Sequence, residues 1–149
     1  MEPATPPVAG EAVIDALVPV AFAIMAALNR IGAENDLSLT MLRVMGILRD
    51  RRPRMAELAD HLGLEKQTLS GLIARGEKRG LVARTPNADD GRATDVLLTR
   101  EGYALIGRLY GQFREALAPL IGELDAADQR TLEDLLTRMQ ASRRSSSPL

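Results

Sequence analysis

The chain has 149 residues, 46% of them apolar and 26% charged, with a formal net charge of −1, which permits one globular domain with a real core. The lack of cysteine and the single histidine exclude disulfides, thiol catalysis and a thiol redox switch, and leave a zinc site to be built almost wholly from carboxylates. No apolar run approaches the ~20 residues that cross a bilayer, and Met1-Glu2-Pro3-Ala4-Thr5-Pro6-Pro7 lacks the basic start of a secretion signal, so the expected location is the cytoplasm with no membrane partner.

Residues 1–10 are Pro-rich and read as a disordered tail. A long helix fits Glu11 to about Ile31, with Ile14, Leu17, Val18, Ala21, Met25 and Leu28 on one side. Pro19 either kinks it or sets a later start. Gly32 and Asn35-Asp36 end the segment. Ser38 caps a second helix, Leu39 to about Asp50, that packs through Leu42, Met45 and Leu48. The arginines 49, 51, 52 and 54 follow, and Pro53 forces a break. Met55, Leu58, Ala59 and Leu62 then fall on one face of a short helix. Gly63 ends it, where a left-handed residue costs least. Glu65 to Lys78 is helical again and buries Leu69, Leu72 and Ile73. Its opposite face offers Lys66, Gln67, Thr68, Ser70, Ala74, Arg75 and Lys78. Gly80 closes that helix. Leu81–Thr85 reads as a strand, 86–91 as a turn-rich loop, and Arg92–Leu98 as the returning strand of a hairpin. Thr99 caps a long helix, Arg100 to about Gly122, with Pro119 near its end. Asp125, with Asp128 three residues on, starts a last helix through Met139, and 142–149 reads as a second disordered tail.

Two short helices joined by a tight turn and followed by a hairpin make a winged helix-turn-helix. The expected fold is therefore mainly α with a small β-hairpin wing. Residues 37–99 form the reading head, and the helices of 11–36 and 100–141 form a dimerisation region, because they carry more apolar surface than a small domain needs. Charge follows the same division. Residues 43–100 hold twelve Lys/Arg against eight Asp/Glu, whereas 1–42 and 101–149 are both net acidic. An acidic remainder keeps the other faces off phosphates.

The order Leu37-Ser38-Leu39-Thr40-Met41-Leu42-Arg43-Val44-Met45, Glu57-Leu58-Ala59, Gly63-Leu64, Thr68-Leu69-Ser70, Glu77-Lys78-Arg79-Gly80-Leu81-Val82, and Asp90-Gly91-Arg92 before Val96-Leu97-Leu98-Thr99 and Gly102 resembles the MarR family of bacterial transcription factors over residues 11–140. The resemblance implies a homodimer with intertwined first, fifth and sixth helices, two winged heads on adjacent major grooves of double-stranded DNA, and a small hydrophobic or phenolic effector bound between dimer region and head. Three positions depart from the family pattern. Glu65 replaces a Ser or Thr cap, Gly71 a groove-facing Arg, and Gly76 a core Leu, so the packing behind the reading helix is expected to be thin.

Within that fold, Lys66, Gln67 and Thr68 occupy the first turn of the reading helix, where Gln pairs with adenine and the Thr methyl meets thymine. Ser70 and Arg75 are phosphate contacts; for Arg75 the competing reading is a pair with Glu77 or Asp60. Arg92 at the hairpin tip suits a narrow minor groove, against an ion pair with Asp90 or Asp95. Arg84, Arg52 and Arg54 are candidate phosphate contacts, and solvated arginines otherwise. Phe22, Met25, Met41, Met45, Tyr103 and Tyr110 are candidates to line the effector pocket, with ordinary core packing an equal alternative. No metal or cofactor is expected. The function implied is a ligand-responsive, dimeric transcriptional regulator, more a repressor than an activator, on a pseudo-palindromic site. The alternative is a winged protein–protein adaptor that does not bind DNA. An enzyme is disfavoured by the lack of a serine–histidine pair in an identifiable context, a Gly-rich phosphate loop or a metal cluster.

Overall fold

The computed structural model describes residues 8–144. In chain order these form α1 (Glu11–Glu34), α2 (Leu39–Asp50), α3 (Met55–Leu62), α4 (Lys66–Lys78), β1 (Val82–Pro86), β2 (Thr94–Leu98), α5 (Arg100–Ile121) and α6 (Ala126–Arg144). Most of both expected tails lies outside the described residues. Three helix starts follow the side chains that the sequence points to. Ser38 Oγ accepts from Met41 N at 3.1 Å, Thr99 Oγ1 from Gly102 N at 3.1 Å, and Asp125 Oδ1 from Asp128 N at 2.8 Å. These bonds satisfy amides that a helix start leaves without partners.

Several boundaries differ from the sequence reading. α1 continues through Pro19, whose ring removes a backbone donor from the helix without ending it. It also passes Gly32, which is buried in the helix rather than ending it. A Cβ at Gly32 would lie 2.6 Å from Leu37 O, so the residue is there for close approach. The chain reverses instead at Asp36, whose φ is +54°. β2 begins at Thr94 rather than Arg92, because Ala93 is held in the turn by its N–H to Asp90 O at 3.0 Å. α6 runs on to Arg144, three residues into the expected tail, with Arg143 and Arg144 in its last turn, where cations suit the helix dipole.

The core lies in the head and takes in the first half of α5, a helix expected to belong to the dimer region. Val44, Met45 and Leu48 of α2, Leu58 of α3, Leu69 and Ile73 of α4, Val82 and Val96 of the hairpin, and Ile106 and Leu109 of α5 are all buried. The hairpin is antiparallel, with Val82 opposite Leu98 and Arg84 opposite Val96. The outer edge of β2 is covered: Val96 N donates to Pro53 O at 2.9 Å and Arg54 bridges Asp95. Gly76, expected to thin the packing, does the opposite. A Cβ there would meet Val82 Cγ2 at 2.7 Å and Met41 Cε at 3.0 Å, so strand and methionine fill the space that a leucine would occupy.

Outside the head the picture changes. α6 buries no residue and α1 buries only Ala27, Ile31 and Gly32. Val13, Ile14, Phe22, Leu120, Leu135 and Met139 are exposed. α1 also carries an 18-residue window of mean hydropathy 2.0, long and apolar enough by length and composition to cross a membrane. This corrects the expectation that no segment approaches that length. Continuous apolar faces on this scale are rare on monomeric globular surfaces and mark places where something docks.

Candidate nucleic-acid interface

The reading helix is set by a short turn. Gly63, at φ +66°, ends α3, and Leu64 N closes back on Ala59 O at 3.0 Å. α4 then starts at Lys66 with no side-chain cap from Glu65 and no acid in its first turn. The first-turn amides therefore remain for solvent or an incoming anion, with the positive end of the helix dipole behind them. Lys66, Gln67 and Thr68 are exposed there, and Arg75 is exposed one face round. Among the described residues Arg75 makes no ion pair, so the pairing with Glu77 or Asp60 weighed from the sequence does not form. Gly71 lies on the same outward side, and a Cβ there would touch nothing within 4 Å.

The wing is organised around a residue that sequence reasoning treated only as a partner for Arg92. Asp95 is 7% exposed, the one buried charged residue among those described. Its Oδ1 accepts from Asn87 Nδ2 at 2.8 Å, and its Oδ2 lies 3.8 Å from Arg52 Nε. Asn87 Oδ1 in turn accepts from Asp89 N and Asp90 N at 3.0 Å each. Asp90 Oδ1 accepts from Arg92 N at 3.1 Å. Both acids proposed as partners for the Arg92 guanidinium are thus occupied elsewhere. Arg92 is exposed, with no side-chain partner among the described residues. The signal was in the sequence: an asparagine opening an Asp-Asp-Gly turn builds such a loop, and an acid between Thr94 and Val96 must find a donor when its strand is covered.

Arg84 differs from its expected role. It points off the hairpin onto α4, donating from Nη1 to Ser70 Oγ at 3.2 Å and from Nη2 to Ser70 O at 2.9 Å. Its Nε lies 2.9 Å from Glu77 Oε1, a charge contact rather than an aligned hydrogen bond. The guanidinium and the Ser70 hydroxyl are spent on bracing wing to reading helix. Arg52 is 57% exposed beyond its loose pair with Asp95, and Arg54 pairs with Glu57 at 3.8 Å. Such exposed pairs contribute about 0–1 kcal/mol.

Five of the nine candidates meet. Arg54, Lys66, Ser70, Arg84 and Arg92 surround one cleft of about 380 Å³ between α3, α4 and the wing, floored by Met55, Ala56, Ala93 and Thr94. Lys66 and Arg92 stand on its two sides. Gln67, Thr68, Arg75 and Arg52 lie outside it.

The six effector candidates do not converge. Met41 and Met45 are core residues, and Phe22, Met25 and Tyr103 are exposed on the outer helices. Tyr110 is half-buried under the Arg49 guanidinium, 4.4 Å from its ring centre, and edge-on to Phe113 at 5.7 Å. Both methionines are buried in the core, Met41 with its Cε 3.0 Å from where a Cβ on Gly76 would lie. A second groove between α1 and α5, lined by Arg30, Ile31, Glu34, Asn35, Gln112, Glu115 and Ala116, contains none of the six.

Comparison with known proteins adds three findings. A model of the MarR family matches residues 35–93. The HTH-type transcriptional repressor NicR of Pseudomonas putida is 30% identical over 107 residues, which cover 70% of this chain and 68% of the repressor. The HTH-type transcriptional repressor Rv2887 of Mycobacterium tuberculosis is 32% identical over 84 residues, covering 56% of this chain; the match spans only 60% of that repressor's length. Among solved structures, NadR in complex with 4-hydroxyphenylacetate superposes with a TM-score of 0.71 at 22% identity, over 93% of this chain and 97% of NadR, which shows the same fold.

Proposed function

The chain belongs to the MarR family, and on that premise we propose that it is a dimeric, ligand-responsive transcriptional repressor of duplex DNA, working in the cytoplasm. The observation that carries the reading is a pair of cations with no ion-pair partner among the described residues, Lys66 at the start of α4 and Arg92 on the wing, lining one cleft. A reading helix places its N-terminal turn against base edges, and a wing arginine reaches the adjacent minor groove. In this reading Lys66, Gln67 and Thr68 meet the major groove, Arg92 the minor groove, and Arg75, Arg52 and Arg54 the phosphates. Arg84 and Ser70 serve from behind, by fixing the two elements.

The exposed apolar faces of α1, the end of α5 and α6 are covered by a second copy. Residues 11–36 and 100–141 then form the dimer region and 37–99 the head. Two-fold symmetry gives a pseudo-palindromic site with half-sites about one turn, 10–10.5 bp, apart. A small hydrophobic or phenolic effector releases the DNA by favouring a head spacing that mismatches the grooves. NadR, crystallised with 4-hydroxyphenylacetate, supports that class of ligand. A pocket that uses Phe22, Met25 or Tyr103 is completed by the second chain, because all three are exposed in one chain alone.

The test is enrichment of bound duplexes from a random pool, repeated with a phenolic acid present. The expected result is a symmetric site whose affinity falls steeply with salt. A failure to enrich any duplex at low salt overturns the reading in favour of the adaptor. Sedimentation at micromolar concentration reports the mass of two chains if the dimer is right.

A further inference from the structure

α4 ends in an arginine that does not face the nucleic-acid side. Arg79 is the C-terminal cap of α4. Its Nη1 donates to Asp36 O at 2.6 Å and its Nη2 to Asn35 O at 3.1 Å, across more than forty residues of sequence. Both carbonyls lie just past the end of α1, where a helix leaves oxygens unsatisfied and carries partial negative charge. A guanidinium suits that place because two of its donors diverge toward two acceptors at fixed spacing. The acceptor side is also held. Asn35 N donates to Gly32 O, Asn35 Nδ2 donates to Ile31 O at 2.8 Å and contacts Gln112 Oε1 of α5 at 3.4 Å. Asp36 is in the left-handed region at φ +54°, which turns its carbonyl to the arginine. Arg79 thus ties the reading helix to the end of the long first helix, and Asn35, one of its two acceptors, is itself tied to α5 through Gln112.

We infer that Arg79 is a positioning residue for DNA recognition. It latches the reading helix to the dimer-forming helices and so fixes the distance between the two heads, without touching DNA. The inference rests on the dimeric, DNA-reading proposal above. It assigns half-site spacing, as distinct from base preference, to a residue on the far end of α4 from Lys66, Gln67 and Thr68. A latch made at the tip of one long side chain gives a ligand that shifts the end of α1 a joint to open.

Two measurements test it. The chain has no cysteine, so Ala74→Cys on the exposed side of α4 gives one spin label per chain and one label-to-label distance per dimer. In the free protein the wild-type background should give one narrow distance band, and R79A should broaden it about twofold, the response of a head freed on a hinge; R79K, which keeps the charge but puts its donors on one nitrogen instead of a fork, should fall between. In duplex selection without the label, wild type should enrich one half-site spacing, and R79A the same half-site sequence over a spread of spacings. An unchanged band and an unchanged spacing in R79A overturn the latch. Loss of the half-site sequence itself, with thermal unfolding unchanged, overturns it too, because Arg79 would then be reading DNA. A wild type that gives a sharp band yet selects no duplex sinks the DNA-binding reading while leaving the joint standing. Absence of any dipolar coupling sinks the dimer and the latch with it.

Discussion

Gly71 and Gly76 sit five residues apart inside the same helix, the second in its last turn, and they should respond oppositely to the same substitution. Glycine inside a helix costs about 0.5–1 kcal/mol relative to alanine. Gly71→Ala adds a methyl where nothing lies within 4 Å, so it should stabilise the protein by about that amount. Gly76→Ala gains the same helix term but places its methyl 2.7 Å from Val82 Cγ2 and 3.0 Å from Met41 Cε. The methionine end can swing aside. Val82 cannot, because it is β-branched, 2% exposed and held in the hairpin opposite Leu98. Overpacking of this kind costs about 1–3 kcal/mol. The helix gain cancels when the two variants are subtracted, so their difference should equal the overpacking cost alone. With a urea slope of about 1–3 kcal/mol/M, the midpoints should separate by on the order of 1 M, G71A above wild type and G76A below. Far-UV circular dichroism reads the transition, at one protein concentration for all three because association contributes to stability. Coincident midpoints for the two variants would refute the packing account of α4 against β1.

Three further outcomes follow from the wing and α3. Arg92→Ala should weaken binding to the selected duplex by about 1–3 kcal/mol and reduce the salt slope by about 1, with the unfolding midpoint unmoved; full affinity in that variant retires the wing contact. Asp95→Ala should destabilise by about 2 kcal/mol, chiefly through the charge-assisted bond lost to Asn87, whereas Asp95→Asn keeps an acceptor and should recover most of it; equal urea midpoints for the two would show that Asn87 does not matter. The imidazole of His61 is held below its ordinary value near 6.5 by partial burial first, and then by Arg43, Arg51 and Arg143. The unfolded chain therefore takes up this proton at higher pH than the folded one, so stability drops as pH falls below about 6.5 and levels off beneath the lowered folded value. His61→Gln should flatten that part of the stability profile, and an identical profile in the variant would contradict it.

The legible parts of this fold were those encoded locally. Ser38, Thr99 and Asp125 name three helix starts because a capping side chain acts within three residues. Gly63 and Gly80 mark real left-handed stops. Gly32 misled, since a glycine needed for close approach to Leu37 reads the same as one needed for a turn. In the candidate interface, exposed Lys66, Gln67, Thr68, Arg75 and Arg92 were legible from helix phase and turn chemistry. The engagement of Arg84 was not, because its partners Ser70 and Glu77 are set by how the hairpin lies on α4. Asp95 escaped for a similar reason: its burial depends on residues 52–54 covering the strand edge. The effector candidates were least legible: two are core residues and three are exposed on the outer helices, so helical spacing did not bring them together.

One of the bonds from Arg84 goes to the main-chain oxygen of Ser70, an atom that every amino acid offers. Replacing Ser70 with another small residue would cut one strand of the tie and leave the other. If α4 reads DNA as proposed, its outward positions can therefore drift toward new base preferences without unseating the hairpin, and a change of target sequence need not wait for a compensating change at position 84.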